Sequence, residues 1–144
     1  MLKESGVHVW LVLWKATRAV ERHADRSVAS AGMCRSDFGV LEALLHKGPL
    51  PVNALGKKVL LTSGSITTAI DRLERRGLVE RVDDVGDRRA RVVHLTAAGR
   101  KLIHKLFSDH EQAMEEAASA LSPAERTALV GLLRKLGQGA EEIF

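Results

Sequence analysis

The sequence predicts a mostly α-helical fold with one small β-hairpin, and three observations carry that expectation. Six segments space their apolar residues at helical intervals, over residues 7–30, 36–46, 51–59, 62–76, 96–120 and 122–136. Ser36, Thr62, Thr96 and Ser122 stand just ahead of four of them, where a side-chain oxygen can satisfy a free backbone N–H. Only Leu78–Val82 and Arg89–Leu95 read as strands, short and rich in Val and Leu, around a charged turn with a single glycine, Gly86.

The stretch from Leu61 to Leu95 organises the rest. Ile66, Ala69, Ile70 and Leu73 fall at i, i+3, i+4 and i+7 and form one buried stripe. The opposite face carries Ser63, Ser65, Thr67, Thr68, Asp71, Arg72 and Arg75, short polar groups first and cations later. Gly77 follows where a left-handed residue is expected to close the helix. A helix with such a slim polar start can approach a duplex closely, its hydroxyls and free N–H groups meeting base edges or phosphates. A hairpin carrying Arg88 and Arg89 beside it suits a minor groove, whose negative potential favours arginine. Together they read as a winged helix-turn-helix.

The chain before it begins with a helix over 7–30. Leu13, Ala16, Val20, Ala24 and Val28 make one apolar stripe, and Trp10 and Trp14 make a second beside it. Two stripes exceed what one small domain covers, so part of this face is expected to meet another subunit. Met33–Arg35 is read as a connector, with Ser36 capping a second helix that turns Phe38, Val40, Leu41, Leu44 and Leu45 inward. Gly48 breaks that helix, and Pro51 is read as the first residue of a short third one containing Val52, Leu55 and Val59. After the hairpin, Thr96 caps a long helix to about Ala120. Ser122-Pro123-Ala124-Glu125 is a capping box with proline at the first helical position. It starts a last helix read as buried through Leu129, Val130, Leu132, Leu133 and Leu136. Wide apolar faces on the first and last helices argue for a homodimer. The expected organisation is therefore a DNA-reading lobe at 36–95 flanked by dimerisation helices at 7–30 and 97–144.

Composition narrows the function. The chain has 144 residues, 45% of them hydrophobic, with no tyrosine and one cysteine, which excludes an internal disulfide framework and fits a reducing cytoplasm. The apolar run Val7–Leu13 is too short for a membrane span and lacks a small-residue cleavage site after it, so a cytoplasmic protein is expected. The net charge of +4 is unevenly placed: residues 51–101 hold eleven Lys or Arg against six Asp or Glu, and the remainder eleven against twelve. Positive charge concentrated on the winged segment is the footprint of a phosphate-backbone partner.

The run LTSGSITTAIDRLERRGLVER, followed by DRRAR and then VHLTAAGRKL, resembles the MarR family of bacterial transcriptional regulators. The resemblance covers nearly the whole chain, and its most specific part is Asp-x-Arg in the wing, met by Asp87-Arg88-Arg89. It implies a homodimer whose first and last helices interlock, carrying two winged lobes on a pseudo-palindromic double-stranded operator. It also implies that Asp87 braces the wing through a salt bridge and that Arg89 enters the minor groove. Ser63, Ser65, Thr67, Thr68 and Arg72 would then face the major groove.

Members of the family respond to aromatic acids, to peroxides through cysteine, or to metals. Trp10 and Trp14 are candidate walls of a pocket for a small aromatic or phenolic effector, although tryptophans at helical spacing read first as core and dimer packing. Cys34, beside Arg35 and ahead of a capped helix, is a candidate redox thiol; the peroxide sensors carry theirs early in the first helix, so a half-buried inert thiol is the first reading. No metal or other cofactor is expected. Zinc-sensing relatives have acidic and histidine ligands where this chain has Phe38 and Gly39, and His104 and His110 are six residues apart rather than stacked on one face. Two other classes compete. An enzyme would need a nucleophile elbow, phosphate loop or paired-carboxylate motif, and none appears. A winged helix used only for protein contacts leaves the segregated charge and the slim polar face unexplained. The reading is a DNA-binding transcriptional regulator, a repressor rather than an enzyme.

Overall fold

The computed structural model describes residues 2–86 and 91–144. In chain order the elements are α1 (Gly6–Ala29), α2 (Arg35–Lys47), β1 (Leu50–Pro51), α3 (Val52–Lys58), α4 (Ser63–Arg75), β2 (Val79–Asp83), β3 (Arg91–Leu95), α5 (Ala97–Ala117) and α6 (Pro123–Ile143). The mostly helical class with a hairpin wing stands. A third strand, which hydropathy did not disclose, completes an antiparallel sheet in the order β1-β3-β2. At two residues β1 is too short to show a period, and only its pairing with Val92 and Val93 defines it. Pro51 is therefore the last residue of an edge strand and the N-cap of α3, not its first helical residue. Its missing N–H costs nothing there, because β1 has a neighbour on one side only.

Three of the four expected caps are made as read. Thr62 Oγ1 accepts from Ser65 N at 3.2 Å, Thr96 Oγ1 from Gly99 N at 3.0 Å, and Ser122 and Glu125 exchange both bonds of a capping box. The Ser122 backbone N–H holds the Glu125 carboxyl below its ordinary pKa. The stability this adds is present above the unfolded-state value and is lost as pH falls through the lowered one. The fourth cap differs: α2 begins at Arg35 with Cys34 as its N-cap, because Phe38 N already bonds Cys34 O at 3.0 Å. The thiol makes no cap bond, and Ser36 is the second helical residue rather than the residue ahead of the helix. The long helix closes at Ala117, three residues before Ala120.

Helix ends fix the turn between α3 and α4. Leu61 N bonds Gly56 O at 2.9 Å and Leu60 N bonds Lys57 O at 3.4 Å, a Schellman closure that puts Leu60 at φ +57°. The same pair of bonds ends α4, from Leu78 N to Leu73 O and Gly77 N to Glu74 O, with the expected glycine at φ +72°. At the first site a leucine, 91% exposed, occupies the left-handed position that glycine normally fills.

The core lies between α2, α4, α5 and the sheet. Val40, Leu41, Leu55, Ile70, Leu73, Val93 and Ile103 are fully buried there, and the α4 stripe of Ile66, Ala69, Ile70 and Leu73 points inward as its spacing required. Against this, α6 has no buried residue. Leu129, Val130, Leu132, Leu133 and Leu136, read as buried, are all exposed within one chain, as are Trp10, Trp14 and Val20 of α1. Of the stripe Leu13 to Val28, only Val28 reaches the core. Among the described residues of a single chain nothing covers these faces, so their apolar periodicity specifies a helix without specifying its cover.

One close approach locks the wing to α5. A Cβ on Gly99 would lie 1.9 Å from the carbonyl oxygen of Leu78, which also accepts a bond from Thr96 N at 3.1 Å. Only glycine lets the first turn of α5 sit on that backbone. Gly99→Ala is expected to destabilise the fold by about 3 kcal/mol or more, since the obstruction is backbone and cannot rotate away. Urea unfolding followed by circular dichroism checks it.

Candidate nucleic-acid interface

The exposed side of α4 is built by the burial of its other side. Ser63, Ser65, Thr67 and Thr68 all project outward at the start of the helix. Their hydroxyls are not equivalent. Thr67 and Thr68 donate to Ser63 O and Gly64 O, both at 2.9 Å, so each presents its oxygen as an acceptor. Thr62 donates to Ser65 Oγ at 3.0 Å, which leaves the proton of Ser65 available for an outside acceptor. The face thus offers acceptors to exocyclic amines and a donor to a phosphate or a base oxygen.

Beside it lies an open cleft of about 590 Å³ between α3, the start of α4 and the root of the wing, lined by Asn53, Lys57, Ser63, Thr67 and Arg91 among others. Lys57 and Lys58 occupy the last turn of α3, and Arg91 reaches Asp83 across β2–β3 at 3.5 Å. Lys57 and Arg91 are the cations that line this cleft.

Two arginines tie α4 to its neighbours. Arg72 donates from Nε to Asp37 Oδ2 at 3.1 Å and from Nη2 to Asp37 Oδ1 at 2.7 Å. That bond and the facing charge hold the guanidinium above its ordinary pKa. Arg81, at the root of the wing with its side chain 13% exposed, donates to Asp71 Oδ1 and to Glu74 Oε1, while its backbone N–H bonds Glu74 Oε2. Helix and wing are one braced unit through this cluster.

A sequence comparison decides what such a unit belongs to. The regulator MhqR of Bacillus subtilis, described as an HTH-type transcriptional regulator, is 33% identical over 141 residues, covering 98% of this chain and 97% of that protein. The family model described as MarR family matches residues 31–90. The chain belongs to the MarR family. Like the family, it is a DNA-binding transcriptional regulator. Among solved structures, the MarR-family regulator Sco3205 of Streptomyces coelicolor, in complex with DNA, is similar at a TM-score of 0.87 and 27% identity, covering 97% of this chain and 94% of that one. BpsR of Bordetella bronchiseptica, whose DNA binding is regulated by 6-hydroxynicotinic acid, is similar at 0.82 and 29%, covering 90% and 98%.

In this MarR-family chain the expected reading residues Ser63, Ser65, Thr67 and Thr68 share one exposed face. Arg72 is on the same helix, but its guanidinium is already held by Asp37. Asp87, Arg88 and Arg89 lie outside the described residues. Cys34 is exposed rather than half-buried, with Sγ 3.1 Å from Ser36 Oγ. A short exposed loop, not the core, surrounds an N-cap residue. Trp10 and Trp14 do not sit beside the DNA lobe of their own chain: α1 reaches the core at Val28, eighteen residues from Trp10 and about 27 Å along a helix. They are 59% and 46% exposed, and the Arg18 guanidinium lies 5.9 Å from the Trp14 ring.

Sequence reasoning missed Asp37 and the Arg81 brace. No periodicity relates position 37 to 72 or position 81 to 71. Arg81→Ala would strand two carboxylates beside the wing root. It is expected to cost about 1–2 kcal/mol in urea unfolding and to weaken binding to duplexes of any sequence in fluorescence anisotropy titrations.

Proposed function

We propose that two copies of this chain form a homodimer that binds a pseudo-palindromic double-stranded operator, represses transcription there, and is released by a small aromatic or phenolic effector. The observation that carries this is the exposed hydroxyl face of α4 beside a cationic cleft, in a chain whose α1 and α6 leave large apolar faces uncovered. Residues 36–95 form the reading lobe on this proposal, and 7–30 and 97–144 the dimerisation helices. Fully burying a leucine or valine contributes about 1.5–3 kcal/mol. Covering the five apolar residues of α6 together with Trp10 and Trp14 would therefore bring a dimer well within reach of stable association. Support for an aromatic effector comes from BpsR, regulated by 6-hydroxynicotinic acid. The tryptophans would meet the partner chain or an effector at that interface rather than the lobe of their own chain.

Sedimentation at micromolar concentration is expected to give about twice the 15.7 kDa chain mass. A folded monomer there removes the two-lobed operator. Footprinting on the DNA upstream of the gene, repeated with hydroxylated aromatic acids, tests operator and effector together.

Reading and positioning contacts respond differently to substitution. Ser65→Ala and Thr67→Ala are expected to cost roughly 1–3 kcal/mol on the preferred duplex and little on scrambled DNA, because they remove base-edge partners. Arg89→Ala is expected to weaken both together and to lower the salt slope by about one per site, as a minor-groove cation would. Asp87→Ala is expected to resemble Arg89→Ala, although simple electrostatics gives the opposite sign. Tighter binding by Asp87→Ala would mean that Asp87 does not brace the wing.

A further inference from the structure

Asp37 is the one buried charged residue among the described residues, at 5% exposure. A carboxylate in such a place is costly unless paired and hydrogen-bonded. Arg72 supplies both requirements, taking both oxygens in a fork of 3.1 and 2.7 Å. The fork joins the first turn of α2 to the last turn of α4, with the negative group at a helix N-terminus and the positive group near a C-terminus.

Its geometry bears on the reading face. Ser65, Thr68 and Arg72 follow one another at i, i+3 and i+7, and with Ser36 they line one shallow concavity. Whatever fixes Arg72 fixes the direction in which those hydroxyls point. The apolar stripe of α4 cannot do this alone, since hydrophobic contact is non-directional and tolerates small rotations. A 10° rotation would move a side-chain oxygen on the rim of the helix by about 1 Å, enough to spoil a hydrogen bond. A planar two-bond fork to a buried partner resists that rotation.

The partner is itself anchored. The next residue, Phe38, packs on His110 of α5 with ring centroids 4.7 Å apart, and His110 Nδ1 lies 3.1 Å from Ser27 Oγ of α1. Ser27 donates its own proton to Ala24 O at 2.7 Å, so the histidine is the donor in that pair. Asp37 and Phe38, adjacent in the chain, thus hold α4 on one side and α1 with α5 on the other.

We propose that Asp37 is a positioning residue for DNA recognition: through Arg72 it sets the rotation of α4, and Arg72 serves as the tie between the helices rather than as a reader of bases. This rests on α4 being the reading helix. The test uses the full-length protein and a duplex selected by the wild type from random sequence, compared with a scrambled duplex at two salt concentrations. Circular dichroism at the same temperature establishes the folded fraction. Asp37→Asn keeps the shape and removes the charge, and Arg72→Lys keeps the charge and removes the fork.

Each variant is expected to lower the preference for the selected duplex by about tenfold, the scale of one base-edge contact. Scrambled-duplex affinity and the salt slope should stay unchanged, and the double variant should be no worse than either single one. A merely structural role would reduce binding to both duplexes in proportion to the unfolded fraction and leave their ratio alone, which overturns the proposal. So does Asp37→Asn binding the selected duplex more tightly, with Arg72→Gln lowering the salt slope by about one, because Arg72 would then be a DNA contact that Asp37 restrains. A wild type that prefers no sequence removes the reading-helix assignment itself, a failure separate from retained preference in the variants.

Discussion

Ile66, Ala69, Ile70 and Leu73 bury one side of α4 almost completely, each at 1% exposure or less. Because the stripe is continuous over two turns, the residues between its members have only one direction left. Ser63, Ser65, Thr67 and Thr68 are outside for that reason, and the local hydrogen bonds of Ser65, Thr67 and Thr68 orient hydroxyls on a face that burial has already chosen. The position of the whole lobe follows from the same burial: α2 and α3 pack against α4, β2 borders it, and Val93 of β3 and Ile103 of α5 belong to the same core. A polar substitution in the stripe would therefore cost the interface as well as the core.

Burial sets the side that faces out, and polar interactions set the angle. The two arginine clusters act at opposite edges of α4, one toward α2 and one toward the wing. They differ in environment. In one the carboxylate is enclosed, Asp37, and its partner Arg72 is 40% exposed; in the other the arginine is enclosed, Arg81 at 13%, and its partners Asp71 and Glu74 are roughly half exposed. Each tie thus sets one enclosed partner against one that water reaches, and together they hold α4 to α2 and to the root of the wing. The hydroxyls between them add local order, since Thr67 and Thr68 spend their protons on the preceding turn and arrive as oriented acceptors.

The exposed faces of α1 and α6 set a different constraint. The Ser122–Glu125 capping box satisfies the start of α6 locally, so the helix is specified even where a single chain gives it nothing to pack on. Its apolar residues point to solvent in one chain, and in the proposed homodimer a second copy would cover them. The junction of Ser27, His110 and Phe38 lies where α1 and α5 meet the lobe, so forces on α1 at such an interface would pass to α4 through two neighbouring residues, Phe38 and Asp37.

Much of this was legible in the sequence because it is local or periodic. The α4 stripe, the caps at Thr62, Thr96 and Ser122, the left-handed Gly77 and the two wing strands all depend on residues within a turn or two of each other. The outward hydroxyls of α4 were legible for the same reason, being whatever the stripe leaves over. What only the tertiary structure decided depends on distance in the chain. The bond between Asp37 and Arg72 spans thirty-five positions, and Pro51 becomes a strand residue only because Val92 stands opposite it. Hydropathy also gave α6 its apolar face, read as buried on a dimerisation helix, and a single chain leaves that face uncovered, since a period records which residues avoid water and says nothing of whose surface covers them. A sequence states the preference of each side chain; the partner that satisfies it is chosen only when distant segments meet.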